Sequence, residues 1–410
     1  MQGSETVKIL FVHEVSWRKK VVYEIHDFPE LLALRGHDVT FVEYDEDEGN
    51  LEHEGWDTQK KVLSSISLNS RAHPGSEVRV ITPRRFLPGI LGRLLAILLH
   101  PYVIYRELKK NRPDVVVLYA VPTNGWQTTL IAKRMKIPVV FRAIDVSHQL
   151  RKSIFSRLIV KAEKTVYKNA SHISTHNYAL KEYITTYGCD EDQITVLLPG
   201  VDLERFTPQP PSLQLQKSLG LSDGDQVILF MGTIFRFSGV AELIEEASEL
   251  LKENPSTKFL VLGDGEDLER VRQIAKTLGL SEQVVTPGRV SYDDLAENLC
   301  VGTVAILPFL QESVTDFALP WKVAQYLGCG LPTVSINLKG LASVIPEGSG
   351  MIYVDDIPSL VQATFELLRD ENQRAQLAQD ARQTMVDLCN WDNQVQKLET
   401  LLLQTMKESE

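Results

Sequence analysis

Apolar residues gather in short unbroken runs along this chain, separated by longer stretches of mixed polarity. The first half carries "VKILFV" (7–12), "DVTFVEY" (38–44), "DVVVLYA" (114–120), "PVVFRA" (138–143), "HISTH" (172–176) and "ITVLLP" (194–199). The second half repeats the theme with "QVILFMG" (226–232), "KFLVLG" (258–263), "QVVTPG" (283–288), "TVAILPF" (303–309), "PTVSI" (332–336) and "GMIYV" (350–354). Continuous apolar runs, as opposed to alternating ones, belong to strands buried on both faces. The segments between them have helical periodicity, as in "PELLALRG", which stops at Gly36. Alternation of this kind predicts an α/β fold with parallel sheets covered by helices. Two such series predict two doubly wound, Rossmann-like domains.

The series are separated by "PGVDLERFTPQPPS" (199–212), whose four prolines can continue neither a helix nor a central strand. A linker is therefore expected near 205–215, with domains at 1–205 and 206–388 and an amphipathic C-terminal helix within 389–410. Ligands of open α/β sheets lie beyond the carboxyl ends of the strands, at the switch in strand order. Two such domains facing a cleft would place the chemistry there.

Composition changes this picture little. At 410 residues the chain is long enough for two or three cores. Its four cysteines (Cys189, Cys300, Cys329, Cys389) form no CxxC pair and read as buried thiols in a reducing compartment, against a disulfide framework or a zinc site. No charged, then apolar, secretory leader is apparent at the N-terminus, so a cytoplasmic protein is expected.

Charge changes it more. The net charge is −11, yet residues 81–170 hold 17 Lys or Arg against 4 Asp or Glu, a local +13 that leaves −24 for the rest. One surface is thus suited to something anionic. Within it, "RRFLPGILGRLLAILLHPYVIYRELKKNR" (84–112) flanks a 14-residue apolar run with cations, and "RKSIFSRLIVKAEKTVYKNA" (151–170) adds six more. The run is interrupted by Arg93 and too short to span a bilayer. A basic amphipathic helix of this kind lies in the plane of an anionic membrane, here the inner face of the cytoplasmic membrane. The plainer reading is a buried helix with solvated ends. Nucleic acid would need interleaved aromatics and a known module, and neither is present.

Four stretches carry a resemblance: "ITVLLPGVDLERF" (194–206), "VILFMGTIFRFSGVAELIEEASELL" (227–251), "FLVLGDGEDLERVRQIAKTLGLSEQVVTPGRVSYDDL" (259–295) and "FALPWKVAQYLGCGLPTVS" (317–335). In order and spacing they resemble the C-terminal half of retaining, GT-B-fold glycosyltransferases of the GT4 family (glycosyl transferases group 1). In the N-terminal half, "VKILFVHEV", "LLALRGHDVTFVEY" and "ASHISTHNYALKEYITTYG" match the general pattern. The resemblance implies a nucleotide-sugar donor, UDP- or GDP-linked, held by the C-terminal domain and an acceptor held by the N-terminal one. It also implies retention of anomeric configuration, no cofactor, and no metal bridging the diphosphate. The physical task is then to stabilise a departing nucleoside diphosphate with cations and helix N-termini.

Carried over residue by residue, the resemblance places Gly232 and Thr233 beside the donor. The family's arginine and lysine positions in "GTIFRFSG" (232–239) hold Thr233 and Ser238, so Arg236 becomes the candidate cation of that loop. "ALPWK" (318–322) places Ala318 and Leu319 in the donor loop and Lys322 at the diphosphate. A lysine on an otherwise apolar stretch also calls for an anion. Gln325 stands where relatives carry a ribose-binding glutamate, and one acceptor oxygen in place of a carboxylate weakens that contact by about 1 kcal/mol. Phe317 replaces a second acid, which leaves Glu312 and Asp316 as candidates for sugar hydroxyls. "PGRV" (287–290) offers Arg289 and Val290 to the base. In the N-terminal half, Arg142 lies near the position of a sugar-binding histidine of relatives. Asp145 is a catalytic or acceptor candidate, or else an arginine's structural partner. His13 and His148 are the remaining sugar or acceptor contacts. His13-Glu14 replaces a glycine pair that relatives bring close to phosphate.

Four further stretches are set aside. "VLGDGEDLERV" (261–271) lacks the third glycine of a dinucleotide fingerprint. "YDEDE" (44–48), "CDED" (189–192) and "VDDI" (354–357) read as solvated acidic loops, and no metal site is expected. The expected activity is transfer of a hexose to a glycan or lipid-linked acceptor. A non-catalytic sugar-nucleotide-binding or partner subunit is the alternative that Thr233, Ser238 and Gln325 leave open.

Overall fold

The structure, a computed structural model, describes residues 6–44, 64–84, 86–87, 89–149 and 155–409. "YDEDE" therefore falls largely outside the described residues. The chain forms two compact units, Met1–Leu197 with Asp392–Glu410, and Leu198–Trp391.

The first unit is built on an eight-stranded sheet: β1 (Lys8–Val12), β2 (Asp38–Val42), β3 (Ser64–Asn69), β4 (Val78–Pro83), β5 (Val115–Leu118), β6 (Val139–Ala143), β7 (His172–Thr175) and β8 (Ile194–Val196). The strand order is β3-β4-β2-β1-β5-β6-β7-β8. Every pairing is parallel except that of the edge strand β3 with β4. Order reverses between β1 and β5, where Phe11 has Phe41 on one side and Val117 on the other. All three are buried, which is why this part of the sequence reads as unbroken apolar runs. Helices α1 (Glu24–Leu34), α2 (Gly89–Asn111), α3 (Gly125–Arg134) and α4 (Ser156–Asn169) serve this unit.

The second unit holds β9 (Gln226–Met231), β10 (Thr257–Leu262), β11 (Val284–Gly288), β12 (Val304–Leu307), β13 (Thr333–Ile336) and β14 (Met351–Val354) in the order β11-β10-β9-β12-β13-β14, all parallel. Its switch point lies between β9 and β12.

The proline-rich stretch expected as the linker lies inside the second unit. Val201 donates to the Cys389 carbonyl at 2.7 Å, Phe206 is buried in the core, and Arg382 donates to the Leu203, Phe206 and Gly328 carbonyls. The chain crosses between units at Leu197–Leu198 and again at Trp391–Asp392. The C-terminal helix (Trp391–Glu408) returns to the first unit, where Glu399 takes Arg35 at 2.9 Å and His37 Nε2 at 3.0 Å.

Candidate active site

In the second unit, three loops meet at the carboxyl ends of β9, β12 and β10. The loop after β9 begins at Gly232 (φ +135°) and closes at Gly239 (φ +68°), where a Cβ would stand 1.9 Å from the Pro308 carbonyl oxygen after β12. Leu310 N–H donates to the Phe237 carbonyl at 2.8 Å, so the two loops are stitched together. Ser238, the residue at the family's lysine position, is buried. Its hydroxyl donates to the Thr233 carbonyl at 3.2 Å and accepts the Phe235 N–H at 3.1 Å. Its role here is to hold the loop's shape.

Lys322 opens the helix Lys322–Gly328 and reaches back over β9. Its ammonium lies 4.2 Å from the Phe230 ring centre, 4.9 Å from that of Phe309, and against Gly232. The residue is half-buried. No described carboxylate pairs with it. Burial pushes its pKa down to about 7. A lysine with no described carboxylate partner, packed on two aromatic faces at a sheet's switch point, is chemically suited to an anion. Tyr326, one turn on, fixes the geometry. Its fully buried hydroxyl accepts the Met231 N–H at 2.7 Å and donates to the Met231 carbonyl at 3.2 Å, tying the helix to the strand end before Gly232.

The other expected donor residues are placed as follows. Arg236 is exposed and pairs with Glu242 at 2.9 Å, a carboxylate it shares with Arg270. Gln325 is buried, and its side-chain amide bonds to no described residue. Asp316 pairs with Lys339 at 3.2 Å, and Glu312 is exposed. Phe317 and Ala318 run over Gly340, whose missing Cβ would clash with the Ala318 carbonyl oxygen at 2.5 Å, and Leu319 packs on the core. Thr233 and Arg289 are exposed, and Val290 is half-buried beside β11. Gly232, Thr233, Lys322 and Tyr326 are thus brought to one place.

The first unit has its own cluster at the switch between β1 and β5. Glu14 accepts the Thr123 N–H at 2.6 Å, the Thr123 hydroxyl at 2.9 Å and the Asn124 N–H at 3.3 Å. A carboxylate of the chain itself therefore sits at the N-terminus of α3, where an anion would otherwise bind. His13 stacks on Tyr119 with ring centres 5.0 Å apart, and its Nδ1 accepts the Glu14 N–H at 2.7 Å. Burial, with Lys20 and His26 nearby, lowers its pKa to about 3. The ring is neutral, its proton is on Nε2, and that buried nitrogen has no partner among the described residues.

Arg142 is 1% exposed and fully engaged. It grips Glu24 with two bonds of 2.9 and 2.8 Å and donates to Ser174 Oγ and to the Thr175 and Leu197 carbonyls. Asp145, the candidate partner for an arginine, bonds to none among the described residues. Burial and the neighbouring Glu24 raise its carboxyl to about 7. His148 is tied through Nδ1 to Glu163 of α4 at 2.6 Å. Among the described residues no three His, Cys, Asp or Glu side chains cluster as a metal site.

Two doubly wound units are the architecture of the GT-B fold, and solved structures bear out that fold. Sucrose-phosphate synthase from Thermosynechococcus elongatus matches 98% of this chain and 99% of its own with a TM-score of 0.74 at 14% identity. HepE of Anabaena, solved in complex with UDP and glucose, matches 97% and 99% with a TM-score of 0.71 at 15% identity. The family models of glycosyl transferases group 1 and of Glycosyltransferase Family 4 match residues 212–384 and 24–205 respectively. The chain belongs to the GT4-type glycosyltransferases. A D-inositol 3-phosphate glycosyltransferase from Acidothermus cellulolyticus is 29% identical over 248 residues, 58% of this chain and 54% of that protein. The chain thus spans about half the length of the curated relatives it matches.

Proposed function

We propose that this protein transfers a hexose from a UDP- or GDP-linked sugar to a hydroxyl of a glycan or lipid-linked acceptor, with retention and without a resident cofactor or metal. The observation that carries the proposal is the unpaired Lys322 ammonium held against Gly232 at the switch point of the second unit. The bond from the anomeric carbon to the diphosphate oxygen breaks and one to the acceptor oxygen forms. The acceptor proton passes to the departing diphosphate, and Lys322 neutralises the charge left on it. Arg236 supplies the second cation. Its guanidinium is exposed, and its present partner Glu242 is also held by Arg270, so Arg236 can turn to a diphosphate. Gln325 takes a ribose hydroxyl. The Nε2–H of His13 and the Asp145 carboxyl, neither bonded to a described residue, serve acceptor or sugar hydroxyls.

Thermal shift and donor hydrolysis over UDP-, GDP- and ADP-sugars test this reading, with Lys322→Met as control. Turnover of one donor, lost in the variant, supports it, whereas no response to any nucleotide sugar overturns it. The internal bonding of Ser238 favours one alternative, a binding subunit without turnover, for which binding without hydrolysis is the signature.

The acceptor's setting is read from α2. One face, Ala96, His100, Val103, Ile104 and Leu108, is buried on the unit, while Leu91, Leu94, Leu98, Tyr102 and Tyr105 stand exposed along another, followed by exposed Arg106, Lys109 and Lys110. No helix among the described residues is long and apolar enough to cross a membrane. An apolar stripe ending in cations fits shallow burial in an anionic leaflet. That stripe supports our reading of peripheral attachment to the inner face of the cytoplasmic membrane, next to a lipid-linked acceptor.

A further inference from the structure

The N-terminus of α3 is filled by a side chain from a distant part of the chain. α3 has no acidic residue in its own first turn, and Asn124, which caps it, makes no side-chain bond to the helix. Glu14, 109 positions upstream in the loop after β1, supplies the missing carboxylate. One of its oxygens takes the N–H groups of Thr123 and Asn124, and the other takes the Thr123 hydroxyl. Gly125 holds this helix start close to the end of β5, since a Cβ there would stand 2.0 Å from the Ala120 carbonyl oxygen.

The surroundings hold more hydrogen-bonding groups than Glu14 uses. The Asn124 side chain is fully buried, and neither its nitrogen nor its oxygen has a partner among the described residues. The same holds for the Nε2–H of His13, whose other ring nitrogen accepts the Glu14 N–H. Arg93 of α2 acts as a positive charge on Glu14, and Lys20 acts as one on His13. Helix N–H groups, a hydroxyl, an amide and nearby cations are the components of a phosphate site. Here a phosphate would meet the oxygens of Glu14 where it needs donors. A neutral hydroxyl group meets no such conflict, because it can donate to the Glu14 or Asn124 oxygen while accepting from His13. Glu14 and His13 are each 9% exposed, so the cluster reaches the surface.

We propose that Glu14 determines acceptor specificity: by filling the N-terminus of α3 it closes the first unit to acceptors that carry a phosphate there, and with His13 and Asn124 it favours neutral, hydroxyl-bearing ones. The inference rests on the glycosyltransferase reading only in calling that ligand the acceptor. Closure of the site against phosphate stands on the bonds of Glu14 alone.

The test uses the full chain carrying Lys322→Met, so that the lysine of the second unit takes no part in anion binding. In that background inorganic phosphate should neither bind nor raise the melting temperature, and glucose 6-phosphate should bind no better than glucose. Adding Glu14→Ala should lower the melting temperature, and inorganic phosphate should restore most of the loss. Phosphate should also slow amide exchange over residues 123–128, and glucose 6-phosphate should now bind about tenfold more tightly than glucose. Should Glu14→Ala fail to fold even in phosphate, Glu14→Gln decides. It keeps the side chain's volume and one acceptor oxygen while turning the other into a donor, and should favour glucose 6-phosphate about threefold. A folded Glu14 variant that gains no affinity for phosphate overturns the proposal. So does a gain that leaves exchange over 123–128 unchanged, or a preference for glucose 6-phosphate with Glu14 in place. If the variant gains phosphate binding while the parent turns over no nucleotide sugar, the transferase reading falls and the closed site stands.

Discussion

The Lys322 ammonium lies against the α-carbon of Gly232, so close that a methyl group built there would stand 2.4 Å from Nζ. Gly232 also sits at φ +135°, where a side chain strains the backbone. Gly232→Ala is therefore expected to displace the ammonium. Lys322→Met removes the charge yet keeps the packing on Phe230 and Phe309. Both should weaken nucleoside-diphosphate binding by roughly 10- to 100-fold, the scale of one charge-assisted hydrogen bond. Calorimetric titration against UDP and GDP checks this. The two differ in stability: Lys322→Met should unfold no earlier than the parent, since it removes an unpaired enclosed charge, whereas Gly232→Ala should unfold earlier.

The same ammonium predicts a pH dependence. Its pKa is about 7 in the folded chain against an ordinary 10.5, so between those values the unfolded chain binds more protons. Stability without ligand then rises with pH across that window, and Lys322→Met removes the rise. Binding runs the other way. A diphosphate restores the charged form, so affinity falls above pH 7 by up to about tenfold per unit as the proton must be taken up. Proton uptake on UDP binding at pH 8, measured in buffers of different ionisation enthalpy, checks the sign. An affinity constant from pH 7 to 9 would contradict it.

What the sequence could disclose divides by distance along the chain. All twelve apolar runs became strands, because a strand buried on both faces announces itself locally. β3 and β4 went unread. Ser64–Asn69 is a polar edge strand whose Ile66 and Leu68 stand exposed, and Val78–Pro83 is broken by Arg79 and closed by a proline. Lys322 was legible as a cation in an apolar stretch. Tyr326 carries no local signal, since its partner Met231 lies 95 residues away. Arg142 looked available because Glu24, which occupies it, is 118 residues distant. The prolines of 199–212 signalled the end of regular structure correctly, but the surface they lie on is made by Arg382 and Trp391, far downstream.

Arg142 and Glu24 form a fully buried bidentate pair in the first unit. Arg142→Met strands the Glu24 carboxylate beside Asp145 and should cost about 3–5 kcal/mol in chemical denaturation. The double variant Arg142→Met with Glu24→Leu removes both charges and should recover most of that loss. A single-variant loss below about 1 kcal/mol would show that solvent reaches the pair.

Gln325 is buried on the same helix as Lys322, with a side-chain amide that bonds to no described residue. Gln325→Glu supplies a carboxylate that accepts from both ribose hydroxyls and should tighten UDP or GDP binding about fivefold, near 1 kcal/mol. The effect should vanish with the 2′,3′-dideoxy nucleotide, which lacks both hydroxyls. Unchanged affinity for the ribonucleotide would make Gln325 a packing residue.

The exposed stripe of α2 makes the last prediction. Leu91, Leu94 and Leu98 are 62, 44 and 72% exposed on one face, and the cations follow at the helix's C-terminal end. Vesicles containing phosphatidylglycerol should carry the protein down on sedimentation at low salt, and neutral vesicles should not. Raising the salt weakens the attraction of Arg106, Lys109 and Lys110 to the headgroups, leaving only the apolar contribution. Leu91→Asp with Leu98→Asp should release the protein at every salt concentration, because it removes the apolar burial and adds like charge to the leaflet. Both side chains point to solvent, so folding and nucleotide binding should be untouched. Sedimentation equal to the parent's would remove the membrane from the account of this helix.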